Sequence, residues 1–94
     1  MSDSPVRRAS VTVRLPEGLH LRPLTQLSRL AQSFSSEIRL TKGEQSADAK
    51  RPLDLMTLAA MCGERLELEV RGDDADAAAD AVVRLFESDF ADGV

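Results

Sequence analysis

The stretch Ser10-Val11-Thr12-Val13-Arg14-Leu15-Pro16-Glu17-Gly18-Leu19-His20-Leu21-Arg22-Pro23 decides the fold, because the hydrophobic period changes within it. Val11, Val13 and Leu15 alternate with Thr12 and Arg14, which is the two-residue period of a strand with one buried face. Pro16, Glu17 and Gly18 break that strand. From Arg22 onward Leu24, Leu27, Leu30, Ala31 and Phe34 recur at helical spacing on one stripe, which ends near Ser33, Ser35 and Ser36. Pro23 suits the first helical turn, where a backbone N–H would have no intrahelical partner and the fixed φ of proline is already helical. A strand therefore runs through a short loop into a helix N-terminus, and the only histidine of the chain, His20, stands at its mouth.

Outward from this junction, residues 1–9 mix serine, proline and charge without periodicity and are expected to form a flexible leader. Residues 37–41 alternate with Ile38 and Leu40 inward, Lys42-Gly43-Glu44 supplies a hairpin turn, and residues 46–49 form a short return strand. Arg51-Pro52 opens a second, brief helix with Leu55, Leu58 and Ala59 inward and Gly63 placed to cap it. Leu66, Leu68 and Val70 alternate with Glu67, Glu69 and Arg71 in the clearest strand, expected at or next to the sheet centre. Gly72 ends it. Asp73, Asp74 and Asp76 then put negative charge where the macrodipole of a last helix favours it, and Ala75, Ala78, Ala79, Val82, Leu85 and Phe86 form the apolar stripe of that helix.

The order is β-α-β-β-α-β-α. Each strand has a single apolar face, so the economical architecture is α+β: an open-faced β-sandwich, a four-stranded antiparallel sheet covered on one face by three helices. One domain at residues 10–90 accounts for all of it, since a chain of 94 residues has room for one core and no repeat or linker divides it.

Composition narrows the function. A formal net charge of −4 argues against a general nucleic-acid binder, which needs a basic face. Cys62 is alone, which excludes an intrachain disulfide and fits a reducing cytoplasm. No apolar run has the length of a membrane span, and residues 1–8 lack the apolar core of a secretion signal, so no membrane insertion and a cytoplasmic location are expected. The serines occupy none of the contexts that a Ser-His-Asp hydrolase requires, and a phosphate-binding glycine-rich loop is missing.

A lone histidine is ordinarily a surface or capping residue. At a helix mouth it has a further use, because neutral imidazole attacks phosphorus and the phosphorylated ring is labile enough to pass the group on. The backbone amides of Leu21 and Arg22, with the Arg22 guanidinium, would meet the phosphoryl charge without a metal. Such help is moderate: an anion at a helix terminus gains about 0.3–1 kcal/mol, and ~1.4 kcal/mol shifts a transfer equilibrium tenfold. That scale suits a carrier, which must release what it accepts.

Gly18-Leu19-His20-Leu21-Arg22-Pro23 closely resembles the active-site motif of the HPr family, the histidine-containing phosphocarriers of the bacterial phosphoenolpyruvate-dependent phosphotransferase system. Phe34-Ser35-Ser36-Glu37-Ile38, Asp48-Ala49-Lys50, Leu55-Met56-Thr57-Leu58 and Gly63-Glu64 fall where that family has similar segments, and the likeness spans residues 10–88. The resemblance implies a phosphoryl carrier, not itself an enzyme, that uses no cofactor or metal. It implies phosphorylation of His20 on Nδ1 with Arg22 assisting, enzyme I as donor, and a sugar-specific or regulatory phosphotransferase component as acceptor. It also implies a monomer whose partner surface would present Leu21, Leu24, Arg51, Pro52, Leu53 and Met56. A second reading keeps the fold but makes the chain an interaction module in which phosphorylation of His20 is incidental.

The departures from the family pattern gather beside the motif. Arg51 stands where many members have a regulatory serine phosphorylated by HPr kinase, so that regulation is expected to be absent. Glu17 replaces a small polar residue, Leu21 is bulkier than the usual alanine or threonine, and Asp54 replaces a common glycine. These changes point to a specialised paralogue with an altered partner surface.

Overall fold

In the computed structural model, which describes residues 4–91, the alternation at Leu66, Leu68 and Val70 becomes the middle of the sheet. The elements run β1 (Val6–Thr12), α1 (Leu21–Gln32), β2 (Glu37–Lys42), β3 (Gln45–Asp48), α2 (Pro52–Met56), β4 (Arg65–Arg71) and α3 (Ala75–Glu87). β4 lies between β1 and β2, β3 forms the far edge, and every pair is antiparallel. Leu68 pairs with Ala9 on one side and Leu40 on the other, so the register sets the apolar residues of three strands side by side. The three helices cover that face. The opposite face is polar: Arg8 meets Glu69 at 2.8 Å, and the Ser10 hydroxyl donates to Glu67 at 2.8 Å.

The α3 stripe packs as its spacing predicts, with Ala75, Ala78, Ala79, Val82, Leu85 and Phe86 all buried. Its small residues allow close approach to β1 and β4. The hairpin turn contracts to Gly43-Glu44, with Lys42 paired to Gln45 and Gly43 at φ +60, the positive φ that a type II′ turn requires at its first central position.

Two expectations are corrected. β1 begins at Val6, so residues 6–9 belong to the domain and not to a leader; residues 1–3 lie outside the described residues. The adjacent arginines hid the strand by interrupting the alternation, yet each has a partner, Arg7 with Asp76 of α3 and Arg8 with Glu69 of β4. Regular helix in α2 ends at Met56, and Ala59 is exposed with φ +46 while Ala60 is buried in its place. Gly63 does not cap α2: it donates to the Val13 carbonyl at 2.7 Å, and Val13 donates to Glu64 at 2.9 Å, extending the β1–β4 pairing. The negative charge at the start of α3 stands where its spacing put it, with Asp74 at the N-cap and Asp76 in the first turn, but the Asp74 carboxylate makes no capping bond to α3. It accepts from the Ser36 hydroxyl and from the backbone N–H groups of Ser35 and Ser36 at 2.9 Å each, and these bonds hold its pKa at about 2. It thereby ties the segment between α1 and β2 to the start of α3.

Candidate functional site

Gly18 determines how the loop reaches α1. Its φ is +74, and a Cβ there would stand 2.7 Å from the carbonyl oxygen of Ala60, so only glycine fits without a shift of backbone. Its N–H donates to Leu15 at 2.9 Å and closes the turn through Pro16 and Glu17, while the next amide, Leu19, donates to that same Ala60 carbonyl at 2.8 Å. The Leu19 side chain is buried in the core. With Leu19 pinned inward, its neighbour His20 is turned out to solvent.

His20 is the N-cap of α1, with extended backbone at φ −81 and ψ −173, and its side chain makes no capping bond. Its carbonyl accepts the first helical hydrogen bond, from Leu24 at 3.0 Å. Pro23 lies buried in the first turn, where its missing N–H leaves nothing unsatisfied. The amides of Leu21 and Arg22 remain at the helix mouth, and among the described residues neither meets an acceptor in the protein. His20 and the exposed Arg22 share an open cleft of about 230 Å³ with Leu15, Pro23, Gln26, Asp89 and Phe90.

Asp89 and Phe90 were not singled out by the sequence. Both hold left-handed backbone after α3, at φ 55 and φ 62, and this turn carries the chain back against the cleft. Phe90 packs edge-on against Phe86 with centroids 4.9 Å apart, and its carbonyl accepts from the Gln26 side chain at 3.1 Å. Arg14 holds Asp89 at 3.0 Å. No local pattern announces such a turn, because aspartate tolerates left-handed backbone but phenylalanine does not favour it.

Of the expected partner residues, Leu21, Arg51, Pro52, Leu53 and Met56 are exposed. Leu24 is not: only 2% of its surface is accessible, so it belongs to the core stripe with Leu27 and Ala31 and is removed from the partner surface. Met61 is a further exposed apolar side chain, 58% accessible, on the segment against which Gly18 packs. Arg51 stands at the N-cap of α2 without a side-chain capping bond, and Asp54 in the first turn accepts from the Asp48 amide at 3.0 Å, linking α2 to β3.

The cleft thus offers one exposed imidazole, two helix-terminal amides and one guanidinium, with no serine and no second histidine along its lining. A family model described as PTS HPr component phosphorylation site matches residues 7–88. The chain belongs to the HPr family. Phosphocarrier protein NPr of Shewanella violacea is 40% identical over 80 residues, covering 85% of this chain and 88% of the relative. Phosphocarrier protein HPr of Treponema pallidum is 40% identical over 73 residues, 78% of this chain and 83% of the relative. The crystal structure of HPr-C-His from Thermoanaerobacter tengcongensis superposes with a TM-score of 0.88 at 31% identity, over 94% of this chain and 99% of that one. HPr-family proteins are phosphocarriers and not enzymes, and this chain is a phosphocarrier of the phosphotransferase system, a role that engages other components of that system. The HPr relatives are named for phosphoryl carriage, which favours the carrier over the interaction module. Among the described residues no helix is long and apolar enough to cross a membrane.

Proposed function

We propose that Nδ1 of His20 is the atom that carries the phosphoryl group, received from phosphorylated enzyme I and passed to a sugar-specific or regulatory phosphotransferase component. The observation that carries this reading is the exposed His20 at the mouth of α1, beside two amides that no protein acceptor engages. The imidazole lone pair forms the N–P bond as the bond from phosphorus to the donor breaks, and the reverse exchange occurs at the acceptor. Arg22 and the amides of Leu21 and Arg22 meet the phosphoryl charge; being exposed, they stabilise it moderately and leave it transferable.

Partners dock on the exposed apolar side chains Leu21, Leu53, Met56 and Met61, with Pro52 and Arg51 at the margin. An apolar patch rimmed by polar residues suits recognition of another protein. With Arg51 in place of serine, HPr kinase has no substrate side chain there. The chain works as a monomer in the cytoplasm, without metal or cofactor.

Incubation with enzyme I and phosphoenolpyruvate tests the reading. One acid-labile phosphoryl group is expected on the wild-type chain and none on His20→Ala. Equal labelling of the variant would place the acceptor elsewhere.

A further inference from the structure

The segment behind the His20 loop is itself held in place. Ala60 supplies the carbonyl that accepts Leu19 N–H at 2.8 Å and against which Gly18 lies. Directly before it, Ala59 keeps a left-handed backbone at φ +46, a conformation that a residue with a Cβ resists. Lys42, at the end of β2, donates its ammonium to the Ala59 carbonyl at 3.0 Å and lies 3.3 Å from Oε1 of Glu64. That same carboxylate oxygen accepts the Met61 N–H at 2.6 Å. Lysine and glutamate therefore grip both flanks of Ala60, one through the carbonyl before it and the other through the amide after it.

This is not an ordinary surface pair. The Lys42 side chain is 28% exposed, whereas Arg7, Arg8, Arg14 and Arg65 in the other described pairs are 56%, 70%, 56% and 69% exposed. Shielding weakens competition from water and salt, and both backbone bonds are charge-assisted. The Met61 amide, and after it Lys42, hold the Glu64 carboxyl below its usual range.

We propose that Lys42 and Glu64 are positioning residues for phosphoryl transfer, fixing the Ala60 carbonyl that pins Leu19 and so sets His20 at the mouth of α1. The inference rests on His20 as the acceptor. Loss of the grip leaves Ala59 free to relax toward an ordinary backbone, opens the Leu19–Ala60 bond more often and spreads His20 over several positions. Misplacing a reacting atom by about an ångström is enough to slow transfer strongly. Met61, on the docking surface, moves with the same segment.

The test uses the full chain with Lys42→Met, Glu64→Gln and Lys42→Arg. Amide exchange is read at Leu19 and at the core residue Leu68, and the kinetics of phosphoryl acceptance from enzyme I are resolved into kcat and KM. In Lys42→Met, Leu19 exchange is expected to rise about tenfold relative to Leu68, and kcat to fall about three- to tenfold, as follows from loss of one charge-assisted bond. Glu64→Gln keeps an acceptor for Met61 N–H without the charge and falls between; Lys42→Arg restores both readouts. Arg8→Met, which removes an exposed pair elsewhere on the sheet, changes neither. Equal acceleration at Leu19 and Leu68 would reduce the pair to a global stabiliser and overturn the inference, as would unchanged kcat. A wild-type chain that takes no phosphoryl group would refute the acceptor reading itself, whereas a labelled wild type matched by Lys42→Met would refute only the positioning role.

Discussion

Replacing Gly18 by alanine separates two effects that a glycine can hide. At φ +74 a side chain costs about 1–2 kcal/mol for left-handed backbone alone. The added Cβ also meets Ala60 O at 2.7 Å and Met61 Cα at 3.1 Å, both backbone atoms that no rotamer change can move aside. Overpacking of this kind costs about 1–3 kcal/mol more. Gly43→Ala is the comparison, because φ +60 is strained for any side chain while nothing lies within 4 Å of its Cβ. Both substitutions restrict the unfolded chain equally, so that contribution cancels between them. Urea unfolding followed by far-ultraviolet circular dichroism is expected to show Gly18→Ala less stable than wild type by about 2–5 kcal/mol, the backbone and overpacking costs together. Phosphoryl acceptance should fall only in Gly18→Ala, since only there does the Leu19–Ala60 contact shift. A loss for Gly18→Ala within the backbone share alone, below about 2 kcal/mol, would mean that the loop does not lie on Ala60 as described.

Leu24→Ala is expected to lose about 2–5 kcal/mol as a buried large-to-small change, while the exposed Leu21→Ala stays within about 0.5 kcal/mol of wild type and instead raises KM for enzyme I. Denaturant melts and transfer kinetics on the two variants separate core from partner surface. Asp74 has a native pKa of about 2, below its ordinary 3.8, so the stability it contributes is present above the ordinary value and is lost as pH falls from there toward the native one. Unfolding midpoints measured down that range should drop more for wild type than for Asp74→Asn; parallel curves would contradict the link to Ser35 and Ser36. HPr kinase with ATP is expected to leave no acid-stable phosphate on the chain, and Arg51→Ser should gain one; labelling of the wild type would show that another serine serves.

Legibility followed local rules and failed where contacts were long-range. β4 and α3 were readable because a clean two-residue alternation and a clean helical stripe each meet a single buried face. The early start of β1 was not, since Arg7 and Arg8 erase the alternation and their partners, Asp76 and Glu69, are more than sixty residues away in sequence. Leu24 is instructive in a different way: its spacing with Leu27 and Ala31 already placed it in the core, and family resemblance drew it outward against that signal. His20 and Arg22 were marked by Pro23 and by the loop before it, whereas the other wall of their cleft, Asp89 and Phe90, depends on two successive left-handed residues, the second a phenylalanine that does not favour that backbone. Asp74 was read as a helix-dipole charge because nothing local links it to Ser35 and Ser36, although all three carry the hydrogen-bonding groups of a capping interaction.

The most direct test of the account is nitrogen-15 and phosphorus-31 NMR of the chain after reaction with enzyme I and phosphoenolpyruvate. A single phosphoryl signal coupled to Nδ1 of His20 is the predicted result, with the Leu21 and Arg22 amides shifting as the phosphoryl charge arrives. Attachment at Nε2, or at any residue other than His20, would contradict the account.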